Sequence, residues 1–228
     1  MREPFDSKAY YHVYNRGVDK RVVFSDEDDF RRFYESLFLF NDLDYKHPGG
    51  HDIDRDVMLA GYEMRAAVRV PLVRVMAFCL KPNHFHLLLK ASEPDGISRF
   101  LHRLGMGYAN YFNLKYGRRG RLWEGPFKAK AVDTDEHLQL LPRYIHLNAL
   151  DGTGVGWRAG ELSNWDAAMP VLDRYSWSSH GAYMGRTELL PVVDIESVRR
   201  WFTTDEDYLR YLKLPMVFGQ EETTFARL

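Results

Sequence analysis

The chain has 228 residues, enough for one domain of ordinary size or one domain with an appendage. Hydrophobic residues make up 45% and charged residues 28%, a globular balance that excludes a disordered or fibrous chain, and the formal net charge is only −1. The single cysteine, Cys79, allows no internal disulfide or Cys-based metal cluster; with no apolar N-terminal region and no run of roughly 20 apolar residues, a soluble, cytoplasmic protein without a membrane partner is expected.

Ala9 to Asn15, rich in Tyr and Val and followed by Gly17, predicts a first strand. Ser25 and Asp28 resemble a capping box, and Phe30, Phe33, Tyr34, Leu37 and Phe38 then form one helical stripe. Residues 41–69 are polar and Asp-rich around Pro48-Gly49-Gly50, so an inserted loop is expected there. Val70 to Leu80 and His84 to Lys90 are two strand-like runs joined tightly by Lys81-Pro82-Asn83, a β-hairpin. Apolar residues from Ile97 to Phe112 recur at helical spacing, and Gly117 closes that helix. Leu122 to Val132 reads as a strand, and Asp133 with Glu136 opens a further helix that runs to about Gly152.

Hairpin-linked strands with helices between them argue for an α+β fold on an antiparallel sheet. A domain over 1–152 is expected, followed by an irregular C-terminal extension over 153–228 with a short helix near Ile195 to Phe202.

Charge is unevenly distributed. Between Ile97 and Lys130 eight basic residues face one acid, whereas Asn41 to Glu63 holds six acids and two bases. The basic segment also carries Tyr108, Tyr111, Phe112, Tyr116, Trp123 and Phe127. Cations interleaved with aromatics suit a nucleic-acid backbone with stacked bases, and equally suit a solvated helix face over an aromatic core.

His84-Phe85-His86 places two imidazoles on one face of a strand, within reach of one metal ion. Spacing alone is shared with structural histidine pairs. Tyr144 and Asn148, at i and i+4, share a helix face, and a tyrosine hydroxyl can act as a covalent nucleophile when its target is polarised. That spacing also fits a packing tyrosine with a helix-terminal asparagine. A metallo-β-lactamase-type site would need Asp where Leu88 stands, and no H-E-x-x-H occurs.

MAFCLKPNHFHLLL resembles the His-hydrophobic-His strand of single-tyrosine transposases, and most closely their REP-associated branch. YYHVYNRG, YANYFNLKYGRRGRLWEGPFKAK, RYIHLNAL and YSWSSHGAYMG extend the resemblance, in the family's order, from Tyr10 to Gly185. The resemblance implies a ferredoxin-like fold and a transposase that cuts and joins single-stranded, hairpin-forming DNA through a 5′-phosphotyrosine, with Mg²⁺ or Mn²⁺. It assigns His84, His86 and Asn148 to the metal and Tyr144 to the nucleophile. Arg118, Arg119, Arg121 and Lys128 are expected at phosphates, with Trp123 or Phe127 available for stacking.

His146 and Ala149 depart from the family's usual acid and proline, Pro142 is expected to break the helix or to restart it, and the 41–69 connection is long. Relatives of this kind act as monomers or as homodimers. The alternative is a DNA-binding protein of the same fold with a chromosomal rather than mobile role. Tyr108, Tyr111 and Tyr116 compete with Tyr144 as nucleophile on sequence grounds.

Overall fold

The computed structural model describes residues 5, 6, 8–45, 68–158, 162 and 164–214. Four strands form one sheet: β1 (Tyr10–Arg16), β2 (Val73–Lys81), β3 (His84–Ala91) and β4 (Lys128–Val132), in the order β2-β3-β1-β4. All three pairings are antiparallel. Helix α1 (Glu27–Leu39) connects β1 towards β2, and α2 (Gly96–Lys115) connects β3 to β4. That order and connectivity give the expected α+β, ferredoxin-like arrangement.

The two sheet faces do different work. Alternation puts Phe85 on the face covered by α1, where its ring lies 5.0 Å from that of Phe33. Tyr108 of α2 packs on the same Phe33 ring at 5.1 Å. His12, Tyr14, His84 and His86 occupy the other face, because Tyr14 pairs directly with His86 and Arg16 with His84. A third helix, α3 (Asp135–Leu147), packs over β2 and β3, with Tyr144 against His86.

Local details differ from the sequence reading in instructive ways. Asp26, not Ser25, caps α1: its side chain accepts from the Asp29 amide at 3.0 Å. Thr134, not Asp133, caps α3, accepting from the His137 amide. Neighbouring Ser, Thr and Asp can all accept such a bond, so the residue in extended backbone takes the role. Helix α3 continues through Pro142 instead of restarting there. Strand β4 begins at Lys128, because Leu122 and Trp123 are spent on the core beside an isolated bridge between Gly17 and Trp123.

The stretch after Gly152, expected to be irregular, carries helices α4 (Trp165–Arg174), α5 (His180–Tyr183), α6 (Ile195–Val198) and α7 (Asp205–Leu212). It also covers the outer edge of β2. The Leu80 amide donates to the Trp177 carbonyl at 2.8 Å, Ser179 N–H to Phe78 O at 3.0 Å, and Asp194 N–H to Val75 O at 2.9 Å. An edge strand left open would be a template for pairing with other chains. Leu172, Tyr183, Val198, Tyr208 and Leu212 join the main core. Most of the insertion expected over 41–69, namely 46–67, lies outside the described residues. No helix among the described residues is long and apolar enough to cross a membrane.

The start of β2 is held by one buried side chain. Asn41 donates from Nδ2 to Val73 O (2.8 Å) and accepts from Val73 N–H (2.9 Å). Asn41→Ala leaves both backbone groups buried without partners, so unfolding free energy should fall by about 1–3 kcal/mol in a urea titration. An unchanged midpoint would show that water replaces the amide at no cost.

Candidate active site

Strand β3 opens with His84 and His86, both buried. The 2.6 Å contact between His84 Nδ1 and Asn83 Oδ1 makes Nδ1 the protonated nitrogen, since an amide oxygen only accepts. His84 Nε2 therefore carries a lone pair. His86 Nδ1 lies 3.0 Å from His12 Nε2. If His86 donates there, its own Nε2 carries the lone pair too. Both Nε2 atoms are buried and meet no hydrogen-bonding group among the described residues. A buried polar atom without a partner is costly. Two imidazoles, each engaged through Nδ1 and open at Nε2, have the form of histidine metal ligands.

Burial sets their protonation. It pulls the His84 pKa down to about 4 and that of His86 well below the usual value, in each case helped by nearby positive groups. Neutral imidazoles are the form that binds metal. Cys79 pairs with His86 across the strands, but burial pushes its thiol up to about 12, so it stays protonated. Among the described residues no three His, Cys, Asp or Glu side chains are grouped to hold a metal.

Tyr144 lies against the same histidines, its ring edge-on to His86 at 5.6 Å and to His12 at 5.9 Å. Burial raises its pKa to about 12, partly opposed by the charge and hydrogen bond of Arg158 and by a hydrogen bond with Asn148. Asn148 ends α3, donating from Nδ2 to the Tyr144 carbonyl at 2.7 Å and accepting at Oδ1 from Arg158 at 3.2 Å. Its amide oxygen is thus already engaged on one side by a guanidinium. Arg158 is fixed in turn by a bidentate pair with Asp151 and by stacking on Trp157 at 4.8 Å. Trp157 donates its indole N–H to Asp151 and packs 5.8 Å from Tyr144.

The sequence reading missed His12, Arg158, Asp151 and Trp157. His12 had a signal: it alternates with Tyr14 on a strand, so the two share a face. The other three lie where periodicity ends.

The basic segment divides into two groups. Arg103 donates to the Phe40 and Asp42 carbonyls, and Lys115 pairs with Asp26 and Asp29, so both serve the fold. Arg119 and Arg121 are exposed, and Arg118 lies over Phe112 within reach of Asn113. Lys128 is opposite Tyr14, hence on the histidine face, 3.7 Å from Glu124. Trp123 is buried against Phe85 and donates to Gly105 O, which makes it a core residue rather than an exposed stacking platform. Phe127 is half-buried and stacks on Phe5 at 6.3 Å.

The competing tyrosines have structural partners. Tyr108 donates to Val23 O, while Tyr111 and Tyr116 donate to buried Asp29.

Residues 64–148 match the family described as IS200-like transposases. That segment contains both histidines of β3, Tyr144 and Asn148. A solved structure described as a REP-associated tyrosine transposase bound to a REP hairpin aligns with a TM-score of 0.46 and 11% identity, covering 82% of this chain and 84% of that one. No curated protein matches the chain.

Burial of neutral imidazoles links stability to pH. His12 is held down to about 3 by burial and nearby positive groups, so the unfolded chain binds more protons below about pH 6.5. This contribution to stability is complete above that pH and is lost as pH falls towards 3. At pH 5 the loss amounts to about 2 kcal/mol for one such imidazole. His12→Gln should shrink the difference between urea unfolding at pH 7 and pH 5 by that amount. An unchanged difference would mean that His12 is protonated in the folded state.

Proposed function

We propose that this chain is a divalent-metal-dependent single-stranded DNA endonuclease and strand transferase, a transposase acting through a 5′-phosphotyrosine at Tyr144 on hairpin-forming DNA. The observation that carries this reading is the pair of buried Nε2 atoms of His84 and His86, unpartnered among the described residues, beside the Tyr144 ring. Structural histidines would have their second nitrogens satisfied.

His84 and His86 would hold Mg²⁺ or Mn²⁺, with Asn148 Oδ1 or a phosphate oxygen completing the set. The cation, when bound, supplies neutralising charge at the attacked phosphate. Tyr144 Oη forms the new bond to phosphorus as the P–O3′ bond breaks. The phenol proton is given up and the departing oxygen takes one, leaving a free 3′-hydroxyl and a 5′-phosphotyrosine. Rejoining reverses the step from another 3′-hydroxyl.

Arg158, hydrogen-bonded to the phenol and locked by Asp151, would meet the negative charge that develops there. A pre-placed guanidinium lowers the barrier because it need not reorganise during the reaction. Arg118, Arg119, Arg121 and Lys128 are the residues that would contact phosphates, and Phe127 is the aromatic left for stacking. Helix α3 packs on the sheet that carries the histidine pair.

The reading is tested with labelled single-stranded hairpin DNA and Mn²⁺. His84→Ala and His86→Ala should abolish cleavage and leave DNA binding within about twofold. Arg158→Gln should slow cleavage by about 10²-fold, the usual scale for losing one oriented charge-stabilising donor. Parallel loss of binding and cleavage in the histidine variants would make the pair structural and contradict the proposal.

A further inference from the structure

His146 lies on α3, two residues from Tyr144, and is fully buried on the side away from solvent. The His86 site does not use it. Its Nε2 is 2.7 Å from Ser179 Oγ and its Nδ1 is 2.9 Å from Tyr208 Oη. Tyr208 Oη is also 2.8 Å from His180 Nδ1, and His180 Nε2 is 3.3 Å from Asp173 Oδ1. Arg186 holds Asp173 in place at 2.6 Å. At the other end Ser179 Oγ accepts from the Phe78 amide of β2 at 2.8 Å. Five side chains from α3, α4, α5, α7 and the residue before α5 thus form one continuous row.

The carboxylate fixes the direction of every bond in the row. Asp173 can only accept, so His180 Nε2 carries the proton and His180 Nδ1 must accept from Tyr208. The Tyr208 oxygen then accepts from His146 Nδ1–H, which leaves His146 Nε2 to accept from Ser179 Oγ–H. With both imidazoles neutral, every ring nitrogen of the row is matched, and the Ser179 hydroxyl, 2.7 Å from His146 Nε2, lies at the longer distance of 3.3 Å from Phe78 O.

We propose that Ser179, Tyr208, His180 and Asp173 are positioning residues for the nucleophile: acting through His146, they set the rotation of α3 about its axis and so aim Tyr144 at the histidine pair. Apolar packing cannot do this alone, because a hydrophobic stripe tolerates small rotations and slips. Directional hydrogen bonds at 2.7 and 2.9 Å on both ring nitrogens do not. One residue of helical rotation, about 100°, would swing Tyr144 off the sheet face. The C-terminal helices are thereby part of the active centre, although none of their residues reaches the reacting atoms. The inference rests on the reading of Tyr144 as nucleophile.

Tyr208→Phe removes one oxygen, breaks the row in the middle and keeps the ring packed 5.0 Å from Tyr183. Cleavage of hairpin DNA should slow by tenfold to about a hundredfold in kcat, the range expected from a misaligned nucleophile. KM and DNA affinity should stay within twofold. Amide exchange should quicken across residues 143–148 and remain unchanged in α1 and α2. Ser179→Ala, at the far end of the row, should reproduce the pattern. Wild-type rates in both variants would overturn the proposal. So would a fall in rate that tracks lost DNA binding or lost fold, because the row would then serve stability alone. If the wild-type protein forms no adduct, the functional reading fails instead, and the exchange data still report on the positioning of α3.

Discussion

Strand β3 is the constraint on which the site depends. It is paired on both edges, to β2 and to β1, and covered on both faces by helices. A strand so enclosed cannot slip, since a one-residue shift would exchange its two faces and drive His84 and His86 into the Phe85 layer. The same enclosure keeps the imidazoles neutral and leaves their outer nitrogens without partners among the described residues. An imidazole nitrogen carrying a lone pair at that depth is costly unless something binds it.

Around that strand the chain is arranged in layers with separate duties. Helices α1 and α2 cover the Phe85 face and anchor the competing tyrosines, Tyr108 through Val23 and Tyr111 and Tyr116 through Asp29. Helix α3 covers the histidine face and supplies Tyr144. The C-terminal helices lie beyond α3 and along β2, closing the sheet edge and fastening α3 through His146. Cations split along the same lines: Arg103 and Lys115 stabilise the fold, while Arg119, Arg121 and Lys128 remain on the surface.

Much of this was legible in the sequence wherever a period governs contact. The i, i+2 rule of strands places His84 and His86 together, and the i, i+4 rule of helices places Tyr144 with Asn148; the structure keeps both pairs. Contacts set by chain crossing were not legible. His12 meets His86 only through a register linking positions 74 apart. Arg158 and Asp151 follow the last helical turn, where no period constrains them. The C-terminal segment looked irregular because its ties to β2 come from single residues rather than a strand. An aromatic in a basic stretch suits stacking and core packing equally, so the burial of Trp123 against Phe85 is not readable from the sequence.

In the proposed reaction Tyr144 attacks DNA from beside the histidine pair. The most direct measurement is peptide mapping of the covalent adduct formed with labelled single-stranded hairpin DNA and Mn²⁺. The label should sit on the peptide containing Tyr144, and Tyr144→Phe should fold, bind DNA and form no adduct. An adduct at Tyr108, Tyr111 or Tyr116, or one that survives Tyr144→Phe, would contradict the proposed role of Tyr144.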